Sequence, residues 1–409
     1  MIIKNGHVFI EGKEFVDADV TISNGNIVDI TSCADICVSS KNDTSHIICA
    51  DIDASGCYVI PGLVDIHLHG CMGHDFCEGT TQSFDTISQY ELSQGVTSIC
   101  PATMTIDRDE LRQVFSTIGK YISLMSGHLG LSDNHSEEQL DSFSEIASTI
   151  QGVTMEGPFI SEVKKGAQNS KYIKRPDLDF FNEMQKLSGG LIRQVAIAPE
   201  EDDNFEFIKA VTSIDNIICS LAHSTADYAT ATKAFNAGAN HVTHLYNGMN
   251  SMTHRSPGIP GAAYDNKAVF VELIVDGIHV DPAMVRMTFD MFGSYRICMI
   301  SDSMEATGLT DGEYSLGGQP VTVTGKKATL HDGTIAGSAS TLFDCLKVAV
   351  KDIGIPLDDA IRSCTYTPAK SLGLDKVCGH ISVGMPADVV ILDKELNVVH
   401  IIKSGRVIK

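Results

Sequence analysis

The chain is short of positive charge. It carries 30 Lys and Arg against 52 Asp and Glu, a formal net charge of −22, with a sequence pI near 4.9. An acidic balance of that size repels phosphate backbones and anionic bilayers, which argues against nucleic-acid and membrane-surface partners. The sequence has no run of about 18 uncharged apolar residues, so no membrane span is expected. Its start, MIIKNGHVFIEGKEF, lacks the apolar core of a secretory leader. The 12 Cys, at 33, 37, 49, 57, 71, 77, 100, 219, 298, 345, 364 and 378, never form a CxxC pair. In a chain this long, that scatter reads as reduced thiols in a cytoplasm and not as a disulfide framework. Internal repeats and low-complexity tracts are also missing.

What is present is ordinary globular composition, 43% hydrophobic and 20% charged over 409 residues, enough to bury a large core without cross-links. At roughly 100–200 residues per domain, two domains are expected, or one large α/β barrel with an attachment. Residues 1–58 read as short strands (IIKNGHVFI, ADVTIS, GNIVDIT, CYVI) broken by Asn-Gly and Gly-Asn turns. The segment from 379 to the end, GHISVGMPADVVILDKELNVVHIIKSGRVIK, reads the same way. We expect residues 1–58 and 380–409 to form one small β-sandwich domain, because termini often lie close together. Between them, residues 59–379 alternate apolar runs with helix-like stretches such as 225–238 and 281–293. The eight runs are YVIPGLVDIHLHG, GVTSICPAT, GVTMEGPFI, RQVAIAPE, IICSLAHS, ANHVTHLYN, VFVELIVDG and RICMISDS. Alternation of this kind predicts an α/β fold, a (β/α)8 TIM-type barrel. The polar stretch 126–145 reads as an insertion or as a long helix with its lead-in loop.

The polar residues that matter fall at the ends of these runs, where a TIM-type barrel builds its active site. The first run ends His67-Leu68-His69; residues i and i+2 share a face of a strand, so both imidazoles can reach one ion. The third ends Met155-Glu156-Gly157-Pro158, and a carboxylate there needs a cation or a hydrogen-bond partner if it is buried. The fifth and sixth end in His223 and His244. Nitrogen and oxygen ligands on different strands suit Zn²⁺ or Fe²⁺ with an open position for water. His241 and Cys219 are read as core and not as ligands. The eighth run ends Ile300-Ser301-Asp302, whose carboxylate is suited to take a proton from water activated by the ion. His279, in Asp276-Gly277-Ile278-His279, is expected at the rim. Together these residues describe metal-dependent hydrolysis.

With those residues in place, the sequence resembles the amidohydrolase superfamily, and within it the N-acetylglucosamine-6-phosphate deacetylase family. The segments that carry the resemblance span the chain: PGLVDIHLHG (61–70), MEGPF (155–159), KKGA (164–167), LAHS (221–224), THLYNGM (243–249), HRSPG (254–258), DGIHV (276–280), ISDSMEATG (300–308), AGS (336–338), TPAKSLGL (367–374) and GHISVGMPADVVILD (379–393). The resemblance implies metal binding by Glu156, His223 and His244, and a second ion at His67 and His69, giving one or two divalent ions per subunit. It implies that Asp302 acts as general base and then protonates the leaving amine. It places Asn247, the Gly248 backbone, Arg255 and the neighbouring His254 at the sugar phosphate, with Arg255 supplied across a homodimer, and His279, Ala167 and Gln168 at the substrate. Lys164 and Lys165 are read as solvated loop lysines. Gln168 departs from the pattern, since some members have a histidine there; a second ion at His67 and His69 would share the task of polarising the carbonyl. Gly248 stands where many members have Ala, a minor change if only its N–H is used. The expected reaction is deacetylation of N-acetylglucosamine 6-phosphate, a small amino-sugar phosphate. The galactosamine epimer, another N-acyl substrate, or a barrel that has lost its activity stay open as alternatives.

Overall fold

The computed structural model describes residues 1–32, 51–125 and 146–409; the 126–145 stretch and Cys33, Cys37 and Cys49 lie outside them. Both ends of the chain enter one sheet. Ile2–Ile10 pairs antiparallel with Glu14–Ser23, which pairs with Asn26–Ser32. The second turn is Asn24-Gly25, with φ of +50° and +78°, the two-residue turn whose twist matches the flanking strands. On the other side of Ile2–Ile10 lie Tyr58–Pro61, then Val389–Leu392, Val398–Lys403 and Arg406–Val407. The hydrogen bonding is continuous, so this is one sheet and not the two sheets of a sandwich. It curls so that the Asn24-Gly25 turn reaches the segment leading into Val389–Leu392, with the Ala387 N–H donating to the Gly25 carbonyl at 2.8 Å. Alternate residues of both termini, among them Val8, Val20, Ile27, Val59, Ile391 and Ile402, fill the inner face.

The eight apolar runs form eight parallel strand positions: Leu63–Asp65, Val96–Ile99, the interrupted pair Thr149–Ile150 and Val153–Met155, Ile192–Ile197, Ile218–Leu221, His241–Val242, Phe270–Ile274 and Ile297–Ile300. Each pairs in parallel with the next. Past the last strand, the Asp302 N–H donates to the His67 carbonyl at 3.0 Å, linking the eighth strand end to the first. The strands are buried on both faces, which is why they read as unbroken apolar runs and not as alternating ones. Local chemistry sets the helices between them. Tyr228–Asn236 starts where the Asp227 carboxylate accepts from the Thr230 N–H, and Pro282–Phe292 starts at Asp281, with Pro282 in its first turn. Among the described residues, no helix is long and apolar enough to cross a membrane.

One element lies outside the sequence expectation. Gly312–Leu316, Gln319–Thr324, Lys327–Thr329 and Ile335–Ser338 form a four-stranded antiparallel sheet inserted after the eighth strand. Its turn signals, Gly317-Gly318 and Gly325-Lys326 between runs containing Val and Thr, are present in the sequence. The last helices, Leu357–Cys364 and Tyr366–Ser371, lead back to the terminal sheet. Arg362 fastens the two regions and is only 3% exposed. Its guanidinium donates to the Gly12 carbonyl (2.8 Å), the Lys13 carbonyl, Ser294 Oγ (2.7 Å) and Asp359 Oδ1 (2.7 Å). Replacing Arg362 by Ala strands these acceptors, so we expect a loss of about 2–4 kcal/mol of unfolding free energy. Denaturant unfolding monitored by circular dichroism checks this; an unchanged midpoint would show that Arg362 is not a fastener.

Candidate metal centre and active site

Six of the side chains singled out in the sequence converge at the C-terminal ends of the parallel strands. His67 and His69 follow the first strand, Glu156 the third, His223 the fifth, His244 the sixth and Asp302 the eighth; each is at most 8% exposed. The chain bends sharply as it leaves three of these strands. His223 (φ +42°), His244 (φ +31°) and Asp302 (φ +49°) all occupy the left-handed region. That conformation is costly for a side-chain-bearing residue and tends to cluster at functional sites.

Glu156 is the hub. Its Oε1 lies 3.0 Å from both His223 Nε2 and His244 Nε2. Its Oε2 faces His69 Nε2 at 3.5 Å and His67 Nε2 at 3.7 Å. Asp302 Oδ1 stands 3.2 Å from His69 Nε2 and 3.7 Å from His67 Nε2. Two ligand groups therefore share Glu156: His67 and His69 on one side, His223 and His244 on the other, with the ligand atoms of each group within 4.8 Å of one another. The opposite ring nitrogens are all occupied. Nδ1 of His67 meets Glu272 Oε2 (3.0 Å), that of His69 the Ala102 carbonyl (3.3 Å), that of His223 the Lys164 carbonyl (2.8 Å) and that of His244 the Asn247 carbonyl (3.2 Å). Each acceptor holds a ring proton on Nδ1 and turns Nε2 toward Glu156, the orientation a metal ligand needs once Nε2 gives up its proton. His67 Nε2 is buried and has no hydrogen-bond partner. The donor set fits a divalent cation.

The electrostatics show a demand for positive charge at this point, which a cation would meet by displacing the Nε2 protons. Burial by itself would discharge every one of these groups, raising carboxyls and lowering imidazoles. Opposite charge outweighs it. Glu272 and Glu156 hold His67 well above the usual imidazole range, while the Asp302 hydrogen bond and Glu156 hold His69 above it. Against the same burial, His67, His223 and His244 keep Glu156 well below the usual carboxylate range. Asp302 is also held low, by its His69 hydrogen bond and by the charge of His67. The carboxylates are thus poised to stay ionised beside positive charge.

A cleft of about 270 Å³ opens over this cluster, lined also by Ala167, Gln168, Asn247, Gly248 and His279. His279 Nδ1 pairs with Asp276 Oδ2 at 2.7 Å. Gln168 is fully engaged: its Nε2 donates to Glu156 Oε2 (2.9 Å), and its Oε1 accepts from the Thr105 N–H (2.7 Å). It orients Glu156. A Cβ on Gly248 would sit 2.8 Å from His223 Nδ1, at a φ of +62°, so alanine is a larger change here than use of the N–H alone implies. Lys164 contributes its carbonyl to His223, and not its charge. His254 and Arg255 do not join the cleft. Both are exposed, and Arg255 lines a separate surface hollow with Asp227, Tyr228 and Asn250. His241 and Cys219 are buried on their strands. Sequence reasoning missed Glu272 and Asp276 as partners, together with Leu316 and Ile335 of the inserted sheet, which also line the cleft. A lone Glu inside the apolar run VFVELIV was the available signal for Glu272. Ligand convergence of this kind makes stability depend on metal. We expect protein stripped by a chelator to regain about 2.7 kcal/mol of stability when Zn²⁺ is supplied at a hundredfold excess over its Kd. A thermal shift assay reads this, and the absence of any upward shift with divalent cations would contradict the fit.

Comparison with known proteins agrees with this geometry. A profile of the amidohydrolase family matches residues 58–408. The chain is 32% identical over 407 residues to the N-acetylglucosamine-6-phosphate deacetylase of Bacillus subtilis (strain 168), covering 100% of this chain and 96% of that protein. It is 30% identical over 346 residues to the N-acetylgalactosamine-6-phosphate deacetylase of Escherichia coli O157:H7, covering 85% and 86%. Among solved structures, a variant of the Mycobacterium smegmatis N-acetyl-D-glucosamine-6-phosphate deacetylase in complex with N-acetyl-D-glucosamine-6-phosphate superposes with a TM-score of 0.85 at 28% identity, covering 100% and 98%. Matched along its length in sequence and in structure, this chain belongs to the amidohydrolase family, and within it to the N-acetylglucosamine-6-phosphate deacetylases.

Proposed function

We propose that the chain hydrolyses the acetamide of N-acetyl-D-glucosamine 6-phosphate, giving D-glucosamine 6-phosphate and acetate. The observation that carries this reading is the shared Glu156 carboxylate, ringed by four inward-facing Nε2 atoms and flanked by Asp302, on the floor of a cleft in a chain of this family. His223, His244 and Glu156 would hold one divalent cation, Zn²⁺ or Fe²⁺, and His67 and His69 with Glu156 a second. Such a cation supplies Lewis acidity, polarising the acetamide carbonyl and lowering the pKa of water.

The chain's own groups supply the rest. Asp302, held ionised, takes a proton from the attacking water as the new C–O bond forms. It delivers that proton to the sugar nitrogen as the C–N bond breaks. His279, braced by Asp276, donates from Nε2 to a sugar oxygen. Asn247 and the Gly248 N–H receive the phosphate at the cleft wall. Arg255 lies on the outer surface of its own subunit, and a homodimer would bring it to the neighbour's phosphate, where a guanidinium binds bidentately. The eight parallel strands support a closed (β/α)8 barrel with the two chain ends as the attached β domain, but Tyr58–Pro61 pairs within the terminal sheet, so the first junction falls after Pro61 and not at 58/59. The nine described cysteines are all free, which supports a reducing, cytoplasmic setting.

Replacing Asp302 by Asn should lower kcat by about 10²–10⁴-fold while the bound metal is retained. Near-normal turnover would sink the mechanism. The E. coli relative makes the galactosamine epimer the competing substrate, and kcat/KM measured for both epimers and for the unphosphorylated sugar decides between them. The His279 pair predicts a pH effect. Burial depresses His279, but the Asp276 hydrogen bond and charge outweigh it and raise its pKa, so the imidazolium persists below that raised value and is lost above it. In Asp276→Asn the main opposition to burial is lost and only the smaller effect of the Asp302 charge remains, so the pH above which KM rises should move downward; an unmoved KM profile would remove His279 from substrate binding.

A further inference from the structure

Beneath the Glu156 cluster lies a second layer of polar side chains that the hydrolytic chemistry does not use. Gln194 on the fourth strand, His241 on the sixth and Glu272 on the seventh are all fully buried. Glu272 sits in the middle of Phe270–Ile274, an otherwise apolar strand, where a carboxylate is strongly unfavourable unless its partners justify it. Its Oε2 accepts from His67 Nδ1 at 3.0 Å and from the His244 backbone N–H at 3.3 Å. Its Oε1 accepts from Gln194 Nε2 at 2.6 Å, with His241 Nε2 standing 3.5 Å away.

The unevenness of this network is informative. Gln194 Oε1 and both ring nitrogens of His241 have no hydrogen-bond partner, so the layer is not arranged to satisfy a polar core. The groups it serves best are a side-chain nitrogen of one candidate ligand and the main chain of another, from strands far apart in sequence. We propose that Glu272 is a positioning residue. Its carboxylate keeps the His67 proton on Nδ1, turns Nε2 toward Glu156 and Asp302, and through one oxygen ties the His67 side of the centre to the His244 side. The inference rests on the metal-dependent reading above and deepens it, naming what holds the His67 and His69 position in place. An amide cannot replace the carboxylate. Three N–H donors converge on Glu272, whereas a glutamine offers one accepting oxygen and an NH₂ that would confront a donor.

The test is zinc binding by the full-length chain. Wild type, Glu272→Gln, His67→Ala and the double variant are stripped with a chelator, titrated with Zn²⁺, and assayed for bound zinc by elemental analysis after desalting. Glu272→Gln should weaken zinc binding by about 10–100-fold. The same change made in His67→Ala should add a clearly smaller loss, because only the contact with the His244 backbone N–H then links Glu272 to the ion. Wild-type affinity in Glu272→Gln, or an equal loss with and without His67, would overturn the proposal. Should Glu272→Gln fail to fold, Gln194→Leu removes one anchor of the carboxylate while leaving its charge. Weaker zinc binding in that variant supports the proposal, and unchanged binding overturns it. A wild type that takes up no zinc would instead overturn the metal-dependent reading, which keeps the two failures distinct.

Discussion

A carboxylate shut away from water organises this molecule. Glu156 is 2% exposed, and a buried anion persists only if cationic or hydrogen-bonding groups surround it closely. Four imidazoles and the Gln168 amide do so, and none of the rings is free to turn away. Three are pinned by backbone carbonyls at Ala102, Lys164 and Asn247, and the fourth by Glu272. Because carbonyls on strand ends and loops aim three of these nitrogens, much of the precision of the centre is inherited from the main chain, and the Glu272 side chain aims the fourth. The cost appears as the left-handed backbone of His223 and His244, which the surrounding parallel strands must sustain.

Asp302 is placed by a different device. Its N–H is bound to His67 on the first strand, while its carbonyl accepts from the Ser338 N–H at 2.7 Å. Ser338 Oγ donates to the Ser301 carbonyl at 2.6 Å. The candidate base is thus clamped between the first strand and the inserted antiparallel sheet. That sheet also lines the cleft with Leu316 and Ile335. It is anchored near the HxH segment by Asp75, which accepts from the Gly317 N–H at 3.1 Å, and by Glu305, which accepts from the Ser315 N–H. One insertion therefore sets both the position of the proton acceptor and the shape of the space above it.

The net charge of −22 and an anionic substrate are compatible once distance is considered. Surface carboxylates farther away than a Debye length, about 8–10 Å in physiological salt, are largely screened. A phosphate is governed by the few groups that touch it. In the proposed reading those are backbone and amide N–H groups of Asn247 and Gly248 and one guanidinium, and neither requires a basic surface.

Much of this was legible in the chain. The paired spacing of His67 and His69, and polar residues closing apolar runs at Glu156, His223, His244 and Asp302, are local signals: strand alternation and burial operate over a few residues. The hairpin turn at Asn24-Gly25 and the caps at Asp227 and Asp281 are equally local. Other features had no local signature. Glu272 is one polar residue in an apolar strand until packing brings the end of the first strand over the seventh and His67 is found against it. Gln168 could face substrate or ligand, and the fold turns it to Glu156. Arg255 lies beside the THLYNGM segment in sequence yet opens on another surface. The inserted sheet carried turn signals but no indication that it would grip Asp302. Periodicity dictates which face a side chain takes, because that depends on its nearest neighbours along the chain. Which faces then meet depends on pairing between strands as far apart in sequence as Tyr58–Pro61 and Val389–Leu392, and that is settled only when the whole set of strands packs together.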